Sequence, residues 1–331
     1  MLIYPEERLM AIHLLRKSFL LLQGARTDKG TDKGTGFMQV KEIHAKSILN
    51  RMNHPSSWFG VEYNMNVYRG CQHSCIYCDS RSECYRIENF DDIIVKVNAP
   101  KLLENELRRK RKRGTIGTGA MSDPYIPLEK KYNLTGKCLE IIEKYRFPLM
   151  IGTKSNLILR DIDVLEAINK VYCCVAITIT TADDNLAAVL EPNAPSPTQR
   201  LNAMGVLSEL GIKTGVLMMP VLPYIEDNEE NIVDIVNKSK GYGVSFIIPS
   251  FGLTLRDRQR DYYYKKLDKH FPGLSDKYKK RYKSYYSCSS PNSKKLYKVF
   301  INKCKALGIE TKMPSWHNEI TNKQLSFFDL D

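Results

Sequence analysis

Three regularly spaced cysteines are the residues of this chain best suited to chemistry. Cys71, Cys75 and Cys78 follow the pattern C-x3-C-x2-C within the segment GCQHSCIYCDS. Thiolates at such spacing hold a metal ion or an iron–sulfur cluster. A structural zinc site needs four ligands, so zinc would require Cys84 or His73 as the fourth. Three thiolates on a 4Fe–4S cluster leave one iron open to a substrate or cofactor, and we favour this interpretation.

The remaining cysteines are spread along a chain that has nine in total. In a reducing compartment, clustered cysteines indicate metal or redox chemistry rather than disulfides. Cys173 and Cys174 lie in an apolar run and are expected to pack in the core. No apolar stretch approaches the roughly 18 residues that a membrane helix needs. Charged Glu6, Glu7 and Arg8 precede the first apolar stretch, which does not suit a signal peptide, so we expect a cytoplasmic protein without a membrane segment.

Positive charge is concentrated near the C-terminus. The net charge of the chain is +13, and the segment from Leu255 to Lys312 holds 17 Lys and Arg against five Asp and Glu. Eight of the 19 tyrosines lie between Tyr262 and Tyr297. Lys and Arg contact phosphates and aromatic faces stack on bases, so residues 255–312 are predicted to bind a nucleic acid. The alternative is a helical cap with a solvated basic face and tyrosines packed inward.

Strand-like and helix-like segments alternate from about residue 60 to residue 250, which predicts βαβ units and a parallel sheet. One predicted helix starts with Ser196 as N-cap and Pro197 as its first residue, and ends at Gly211. Because the strands are apolar throughout, both sheet faces should be buried. The six predicted strands are VEYNMNVY, TIGTGAM, FPLMIGT, VYCCVAITIT, IKTGVLMMPVLP and VSFIIPS.

This alternation is typical of an α/β fold, a partial (β/α)6 barrel with its site at the C-terminal ends of the strands. The cysteine segment follows the first strand and therefore lies at that site. We predict three parts. Residues 1–37 form an N-terminal appendage, with a helix over 1–22 and a Gly-rich linker. Residues 38–254 form the barrel, and residues 255–331 form a basic, tyrosine-rich helical extension that closes with LSFFDLD.

The cysteine pattern, with Tyr77 just before its last member, resembles the radical S-adenosylmethionine (radical SAM) motif. The resemblance implies that Cys71, Cys75 and Cys78 ligate a 4Fe–4S cluster, and that Tyr77 packs beside the adenine of SAM. It also implies reductive cleavage of SAM to a 5′-deoxyadenosyl radical, which abstracts hydrogen from a substrate. The cluster would then need an electron donor such as a flavodoxin or ferredoxin.

Further segments over residues 45–250 are similar to the spore photoproduct lyase-like group, often labelled DNA repair photolyase. The similarity implies that Ser122 contacts SAM, that Lys154 pairs with the SAM carboxylate, and that Thr178 lies near the ribose. A compact lysine cation suits the carboxylate. The segments that carry this similarity are YNMNVYRGCQHSCIYCDSRS, GTGAMSDPYIPLEKKYNLT, TKSNLILRDIDVL, ITITTADD and LEPNAPSPTQRLNAMGVLSELGI.

Arg200 matches an arginine of the same group and is a further candidate for the SAM site. It lies in the predicted helix that follows the segment EPNAP. Its alternative role is that of a strut which holds a nearby carboxylate, either Glu191 or Asp123. The sequence alone leaves both roles open.

Two positions depart from the lyase pattern. The lyase has a cysteine two residues before the serine aligned with Ser122, and that cysteine returns a hydrogen atom to the product radical; this chain has Ala120 there. It also has Asp79 where the lyase has a tyrosine directly after the last cluster cysteine. Cys84 or Cys138 would have to supply a thiol from elsewhere. True spore photoproduct lyase activity is therefore not predicted.

The sequence thus predicts a radical SAM enzyme that acts on nucleic acid. Two alternatives remain open at this point. The first is a radical SAM enzyme that acts on a peptide or a metabolite, with the basic segment as an incidental surface. The second is a non-enzymatic, zinc-dependent nucleic-acid binder. Neither the substrate, the electron donor nor the fate of SAM follows from the sequence.

Overall fold

The computed structural model describes residues 38–53, 59–87 and 89–316. The predicted N-terminal helix, the Gly-rich linker and the segment LSFFDLD lie outside the described residues. The strands are β1 (Val40–Ile43), β2 (Leu49–Arg51), β3 (Tyr63–Met65), β4 (Tyr68–Arg69), β5 (Ile93–Lys96), β6 (Ile116–Thr118), β7 (Leu149–Thr153), β8 (Cys173–Thr178), β9 (Lys213–Val221), β10 (Phe246–Thr254) and β11 (Ser287–Ser289).

The main sheet has eight strands in the order β2-β3-β6-β7-β8-β9-β10-β11. The six strands from β3 to β10 run parallel to their neighbours, whereas β2 and β11 are antiparallel additions at the two edges. A smaller sheet has the order β1-β5-β4. The main sheet ends at two edge strands and does not close on itself. The predicted α/β fold with six parallel strands in a partial barrel is confirmed.

Helices follow the parallel strands, as a parallel sheet requires. The helix predicted after residue 196 begins as expected, because Ser196 and Gln199 exchange hydrogen bonds in a capping box and Pro197 follows the cap. The helices are α1 (Ala99–Arg108), α2 (Glu129–Tyr132), α3 (Leu134–Lys144), α4 (Ile162–Asn169), α5 (Asp184–Leu190), α6 (Pro197–Glu209), α7 (Glu229–Gly241), α8 (Asp257–His270), α9 (Leu274–Tyr282) and α10 (Ser293–Leu307).

The central strands are buried on both faces. Every residue of β7 and of β8 is buried, and Cys173 and Cys174 are inaccessible to solvent, as their apolar context predicts. A sheet covered in this way leaves polar chemistry to the segments that follow the strands. Thr178 at the end of β8 and Lys154 just after β7 lie at that edge.

The structure differs from the expectation after residue 251, where the strand pattern was predicted to stop. β10 continues to Thr254, and the short strand β11 pairs with its last three residues. The three residues SCS of β11 carry no periodicity, so the sequence gives no strand signal there. Both strands in this way join the extension to the sheet.

The tyrosines of the extension divide between core and surface. Tyr263 and Tyr278 are fully buried, and they share an apolar cluster with Ile76 and Tyr77 of the cysteine segment. This part of the extension is a helical cap with tyrosines packed inward. The tyrosines that remain exposed are Tyr285, Tyr286 and Tyr297.

Candidate active site

The three cysteines lie on one loop that follows β4 and ends in a short 3-10 helix (Asp79–Arg81). Cys75 is buried, and Cys71 and Cys78 are half-buried. Gly70 starts the loop with φ +81°, where an added Cβ would lie 2.3 Å from the backbone oxygen of Asp92. The conformation and the space at this turn therefore both require glycine.

Burial and neighbouring charges act on all three thiols. Burial raises the pKa of Cys71 to about 12, with further increases from Asp123 and Cys78. Burial also raises the pKa of Cys75 and Cys78, while Lys154 acts in the opposite direction on both. Thiols in this environment hold their protons unless a metal ligates them, because coordination removes the proton. The buried Cys75 and the half-buried Cys71 and Cys78, with the cation of Lys154 nearby, fit a cluster with an open iron.

Cys84 lies apart from this group. It is exposed, and its Sγ is 3.3 Å from Nη1 of Arg256 and 3.3 Å from Oγ of Ser82. Across residues 38–53, 59–87 and 89–316, no three His, Cys, Asp or Glu side chains are arranged to hold a single metal ion. Cys138, the other thiol considered for hydrogen return, is buried in α3.

Glu191 is the electrostatic centre of the candidate site. It lies just after α5, accepts a hydrogen bond from the hydroxyl of Tyr77, and has Nη2 of Arg200 at 2.5 Å. Nζ of Lys154 lies 3.9 Å from its other oxygen. Burial alone would raise the pKa of Glu191, but Arg200 and Lys154 outweigh it and hold the pKa below its usual value. Glu191 is therefore an ionised carboxylate in the protein interior.

Arg200 occupies the strut position that the sequence left as an alternative. Only 1% of its surface is exposed. Besides Glu191, its Nε donates to the carbonyl of Pro195 at 2.7 Å and its Nη1 to the carbonyl of Thr178 at 3.0 Å. Arg200 thus ties α6 to the end of β8 and fixes the position of Glu191.

Asp123 is a second buried carboxylate and ties β6, β7 and the cysteine loop together. Its oxygens accept from Oγ1 of Thr153 and from the backbone N–H of Lys154, both at 2.7 Å. Nδ1 of His73 lies 3.4 Å away. Burial lowers the pKa of His73, which therefore stays neutral at physiological pH. The segment SDP after a strand was the available signal for Asp123, but its partners could not be read from the sequence.

Lys154 and Ser122 both face the cysteine loop. The ammonium group of Lys154 lies 5.6 Å from the ring centre of Tyr77. Burial lowers the pKa of Lys154, but Cys75 and Glu191 outweigh this and leave the pKa raised, so the group is charged. Ser122 donates to the carbonyl of Gly70 at 2.5 Å and in this way holds the start of the loop.

Asp79 joins the cysteine loop to the extension. It accepts from the hydroxyl of Tyr85 at 2.9 Å, from Oγ1 of Thr254 at 2.9 Å and from Nη2 of Arg256 at 3.1 Å. The guanidinium of Arg256 in turn stacks on Tyr286, 4.6 Å from its ring centre. Asp79 therefore anchors the beginning of the basic extension to the cysteine loop.

Comparison with known proteins decides the family. The family model described as the Radical SAM superfamily matches residues 65–236, which is about half of the chain. The chain belongs to the radical SAM superfamily. An uncharacterized protein of Mycobacterium tuberculosis is 30% identical over 250 residues, which cover 73% of each chain. Another, from Methanocaldococcus jannaschii, is 35% identical over 195 residues, 58% of this chain and 71% of the relative.

Among solved structures, the radical SAM fold is shared with spore photoproduct lyase complexed with dinucleoside spore photoproduct. The TM-score is 0.65 at 15% identity, and the likeness covers 93% of this chain and 96% of the lyase. At this identity the likeness establishes a common fold. Family membership makes the chain a radical SAM enzyme, for which the family implies a 4Fe–4S cluster and SAM as cofactors. It gives no support to the non-enzymatic zinc alternative.

Proposed function

We propose that this radical SAM enzyme takes a hydrogen atom from a nucleic acid. The observation that carries the proposal is the extension that the Asp79–Arg256 pair joins to the cysteine loop, because it presents the exposed Tyr285, Tyr286 and Tyr297 together with 17 Lys and Arg against five Asp and Glu. A cation and an aromatic face are the groups that contact a phosphate and a base. The fold shared with a lyase complexed with dinucleoside spore photoproduct supports the same substrate class. A base within a duplex would have to be flipped out to reach a buried site.

In this proposal, Cys71, Cys75 and Cys78 hold the cluster through three of its irons. When bound, a reduced 4Fe–4S cluster would supply the electron for reductive cleavage of SAM at this site. The protein holds the thiols in a loop whose Cys75, Ile76 and Tyr77 are buried. Ser122 and Gly70 fix the start of that loop. Protection of reactive groups from water is the contribution that the chain itself makes to such chemistry.

Lys154 is the proposed partner of the SAM carboxylate, because it is a charged amine. Its Nζ lies 3.9 Å from the carboxylate of Glu191, which is longer than a hydrogen bond. Tyr77 would flank the adenine, and its hydroxyl is already held by Glu191. Ser122 and Thr178 keep their proposed places beside SAM at the ends of β6 and β8. Arg200 would act through Glu191 rather than by contact with SAM.

The reaction of spore photoproduct lyase itself is not proposed. Ala120 stands at the position of the hydrogen-returning thiol, and Asp79 is engaged with Arg256 and Thr254. The buried Cys138 lies within α3. The product radical must therefore be resolved by a different route from that of the lyase.

The remaining partners are proposals as well. The extension over residues 255–312 would contact the nucleic acid, and a flavodoxin or ferredoxin would supply the electron. No helix in the described part of the chain is long and apolar enough to cross a membrane. The cytoplasmic location stays a prediction.

A deuterium-transfer experiment tests the substrate class. The reconstituted, reduced enzyme is incubated with SAM and perdeuterated DNA, RNA, peptides or metabolites, and 5′-deoxyadenosine is analysed by mass spectrometry. We expect deuterium in 5′-deoxyadenosine with DNA or RNA and none with the other two pools. Deuterium from the peptide or metabolite pool alone would replace this proposal with the alternative substrate class.

A further inference from the structure

We infer that residues 108–113 form a second nucleic-acid contact surface, at the end of the sheet opposite the cysteine loop. These residues read RRKRKR, and all six are exposed. We call them the basic run. The inference goes beyond the proposed function, because this surface is remote from the site at which the radical would act.

The placement follows from strand β6. The basic run comes just before the N-terminal end of β6 at Ile116, and Ser122 follows its C-terminal end at Thr118. Ser122 is bound to Gly70 at the start of the cysteine loop. The run and the loop therefore lie at opposite ends of the same strand. A nucleic acid on the run contacts the protein without entering the candidate active site.

The ends of the run are held by the surrounding structure. The backbone N–H of Lys110 donates to the carbonyl of Leu107 at 3.0 Å, which continues the last turn of α1. Gly114 packs so tightly on Glu62 that an added Cβ would lie 1.5 Å from its carboxylate oxygen. The carbonyl of Thr115 accepts from the backbone N–H of Glu62 at 3.0 Å. A segment fixed at both ends loses little entropy when it binds a partner.

The charges of the run are not neutralised internally. Among the residues that the structure describes, no carboxylate lies within ion-pair distance of any of the six side chains, and the one weaker interaction is that of Arg108, which helps Lys144 to lower the pKa of Glu104. Arg108 donates to Asn105 at 3.3 Å, and Lys110 lies 4.5 Å from the ring centre of Tyr63. The nearby carboxylate of Glu106 accepts from two backbone N–H groups at the start of β2. Cations are favoured in the last turn of a helix. That preference explains Arg108 at the end of α1 but not the five basic residues that follow it.

Arginines at the start of the extension contrast with the run. Arg256 is paired with Asp79, and Arg260 donates to the carbonyls of Leu255, Lys283 and Tyr285 at 2.6–2.8 Å. These guanidinium groups hold protein segments together. The side chains of the basic run are more available to a partner than Arg256 and Arg260 are.

Neighbouring strands add to the positive charge at this edge of the sheet. Because the strands are parallel, their N-terminal ends meet there, and the exposed side chains of Arg146, Lys170 and Lys213 lie before or at the start of β7, β8 and β9. The exposed acids Glu143 and Glu209 lie towards the same edge. Positive charge is therefore densest at the β6 end, where the run lies.

The composition of the run selects the partner. Four of its six residues are arginine, whose planar guanidinium binds phosphate through two parallel hydrogen bonds. The run has no apolar residue to insert into a bilayer, as a membrane-binding segment would. A phosphodiester backbone fits better than a lipid surface. Contacts of this kind position a nucleic acid without reading its sequence.

Binding of nucleic acid by matched triple variants tests the inference. The reconstituted full chain is compared with R111Q/K112Q/R113Q and with K101Q/K130Q/K137Q, which removes three exposed lysines from α1, α2 and α3. A third variant, K294Q/K298Q/K305Q, removes three exposed lysines from α10 in the extension. Fluorescence anisotropy with duplex DNA, single-stranded DNA and hairpin RNA is followed from about 50 mM to about 300 mM salt.

We expect the basic-run variant to bind about tenfold more weakly. The slope of log K against log salt should be less negative by roughly two to three, because three phosphate contacts are lost. The control on α1 to α3 should bind like the native chain. The three probes distinguish DNA from RNA as the preferred source of phosphate. Iron content and the thermal midpoint should be unchanged in all variants.

Two outcomes would overturn the inference. The first is a basic-run variant with native binding while the α10 variant is weakened, which would leave the proposed role of the extension intact. Vesicles of phosphatidylcholine and phosphatidylserine are tested in parallel. The second outcome is a basic-run variant that binds the three nucleic-acid probes like the native chain and loses binding only to these vesicles. Weak binding in the basic-run variant alone would instead separate this surface from the extension and count against the partner proposed for residues 255–312.

Discussion

Glu191 is the residue that organises the candidate site. Tyr77, Lys154 and Arg200 come from three different segments of the chain, and all three meet at its carboxylate. A buried ion pair adds little net stability. Removing one partner, however, leaves an uncompensated charge in the low-dielectric interior of the protein. Glu191 and Arg200 should therefore depend strongly on each other.

The change of Glu191 to Gln is expected to lower the free energy of unfolding by about 3–5 kcal/mol. Arg200→Met should be similarly damaging, because it leaves the carboxylate unpaired. The double variant should lose less than the sum of the two single losses, since it removes both charges. Denaturant unfolding of the anaerobic protein measures all three. Strictly additive losses would show that the pair does not interact as the structure indicates.

Lys154 offers a test of cofactor binding at a single side chain. If it pairs with the SAM carboxylate, Lys154→Met should weaken SAM binding by about tenfold to a hundredfold, which is roughly 1.4–2.8 kcal/mol. Lys154→Arg should retain part of the affinity because it keeps the charge. Equilibrium dialysis of the reconstituted protein gives the dissociation constants. Lys137→Met, on the exposed face of α3, is the matched control. Native affinity in Lys154→Met would exclude this role.

Glu226 is a buried acid with an unusual protonation state. It is inaccessible to solvent, and one oxygen accepts from the backbone N–H of Leu222 at 2.8 Å. The other oxygen has no hydrogen-bond partner among the described residues. Burial raises the pKa of Glu226 from an ordinary value of 4.5 to about 8, and Glu191 adds to the rise. The side chain is therefore mainly neutral near pH 7.

This raised pKa makes stability depend on pH in a definite direction. Between 4.5 and about 8 the folded state keeps a proton that the unfolded state has lost. Stability from this group is complete below the lower value and is lost as the pH rises to the upper one. Glu226→Gln does not titrate, so its stability relative to the native chain should increase from pH 5 to pH 8 by on the order of a few kcal/mol. The free energies of unfolding of both proteins are measured at pH 5 and pH 8. A difference between Glu226→Gln and the native chain that is the same at both pH values would contradict the raised pKa of Glu226.

At the scale of elements, the junction between β10 and β11 joins the extension to the sheet. Gly252 has φ +142°, and an added Cβ would lie 2.6 Å from the carbonyl oxygen of Cys288 and 2.7 Å from Cα of Ser289. These neighbours are backbone atoms of the paired strand and cannot rotate away. Both conformation and space thus require glycine at this position.

Gly252→Ala is expected to lower the free energy of unfolding by about 2 kcal/mol or more. Gly241→Ala is the matched control, because Gly241 ends α7 with nothing within 4 Å of an added Cβ. That control should be neutral or gain about 0.4–1 kcal/mol. Thermal unfolding compares the two variants. Equal midpoints would mean that β11 is not held against β10 in solution.

The elements themselves were largely predictable from the sequence. The period of apolar residues and the cap at Ser196 gave the parallel strands and α6, because each element satisfies its own local rules. β11 was missed because it is three residues long and owes its conformation to pairing with β10. Local patterns carry no information on such a strand.

At the scale of the whole molecule, the extension and the barrel share their apolar cores. Leu296 and Phe300 of α10 belong to the main core, and Tyr263 and Tyr278 pack with the cysteine segment. The sequence predicted a basic extension, but it could not show that this segment completes the core. The cysteine triplet could be recognised in the sequence, because its chemistry depends on the spacing of the three residues. The sequence offered the contact between Arg200 and Glu191 only as one of two alternatives, and the partners of Asp123 were not predicted, because only the fold brings these residues together.

We expect this chain to cleave SAM through the cluster that the cysteine loop would hold. The most direct measurement is anaerobic. The chain is reconstituted with iron and sulfide, reduced and given SAM, and 5′-deoxyadenosine is determined by mass spectrometry beside the Cys75→Ala variant. The account predicts 5′-deoxyadenosine from the native chain and none from the variant. Equal amounts from both proteins, or none from a native chain that carries iron and acid-labile sulfide, would contradict it.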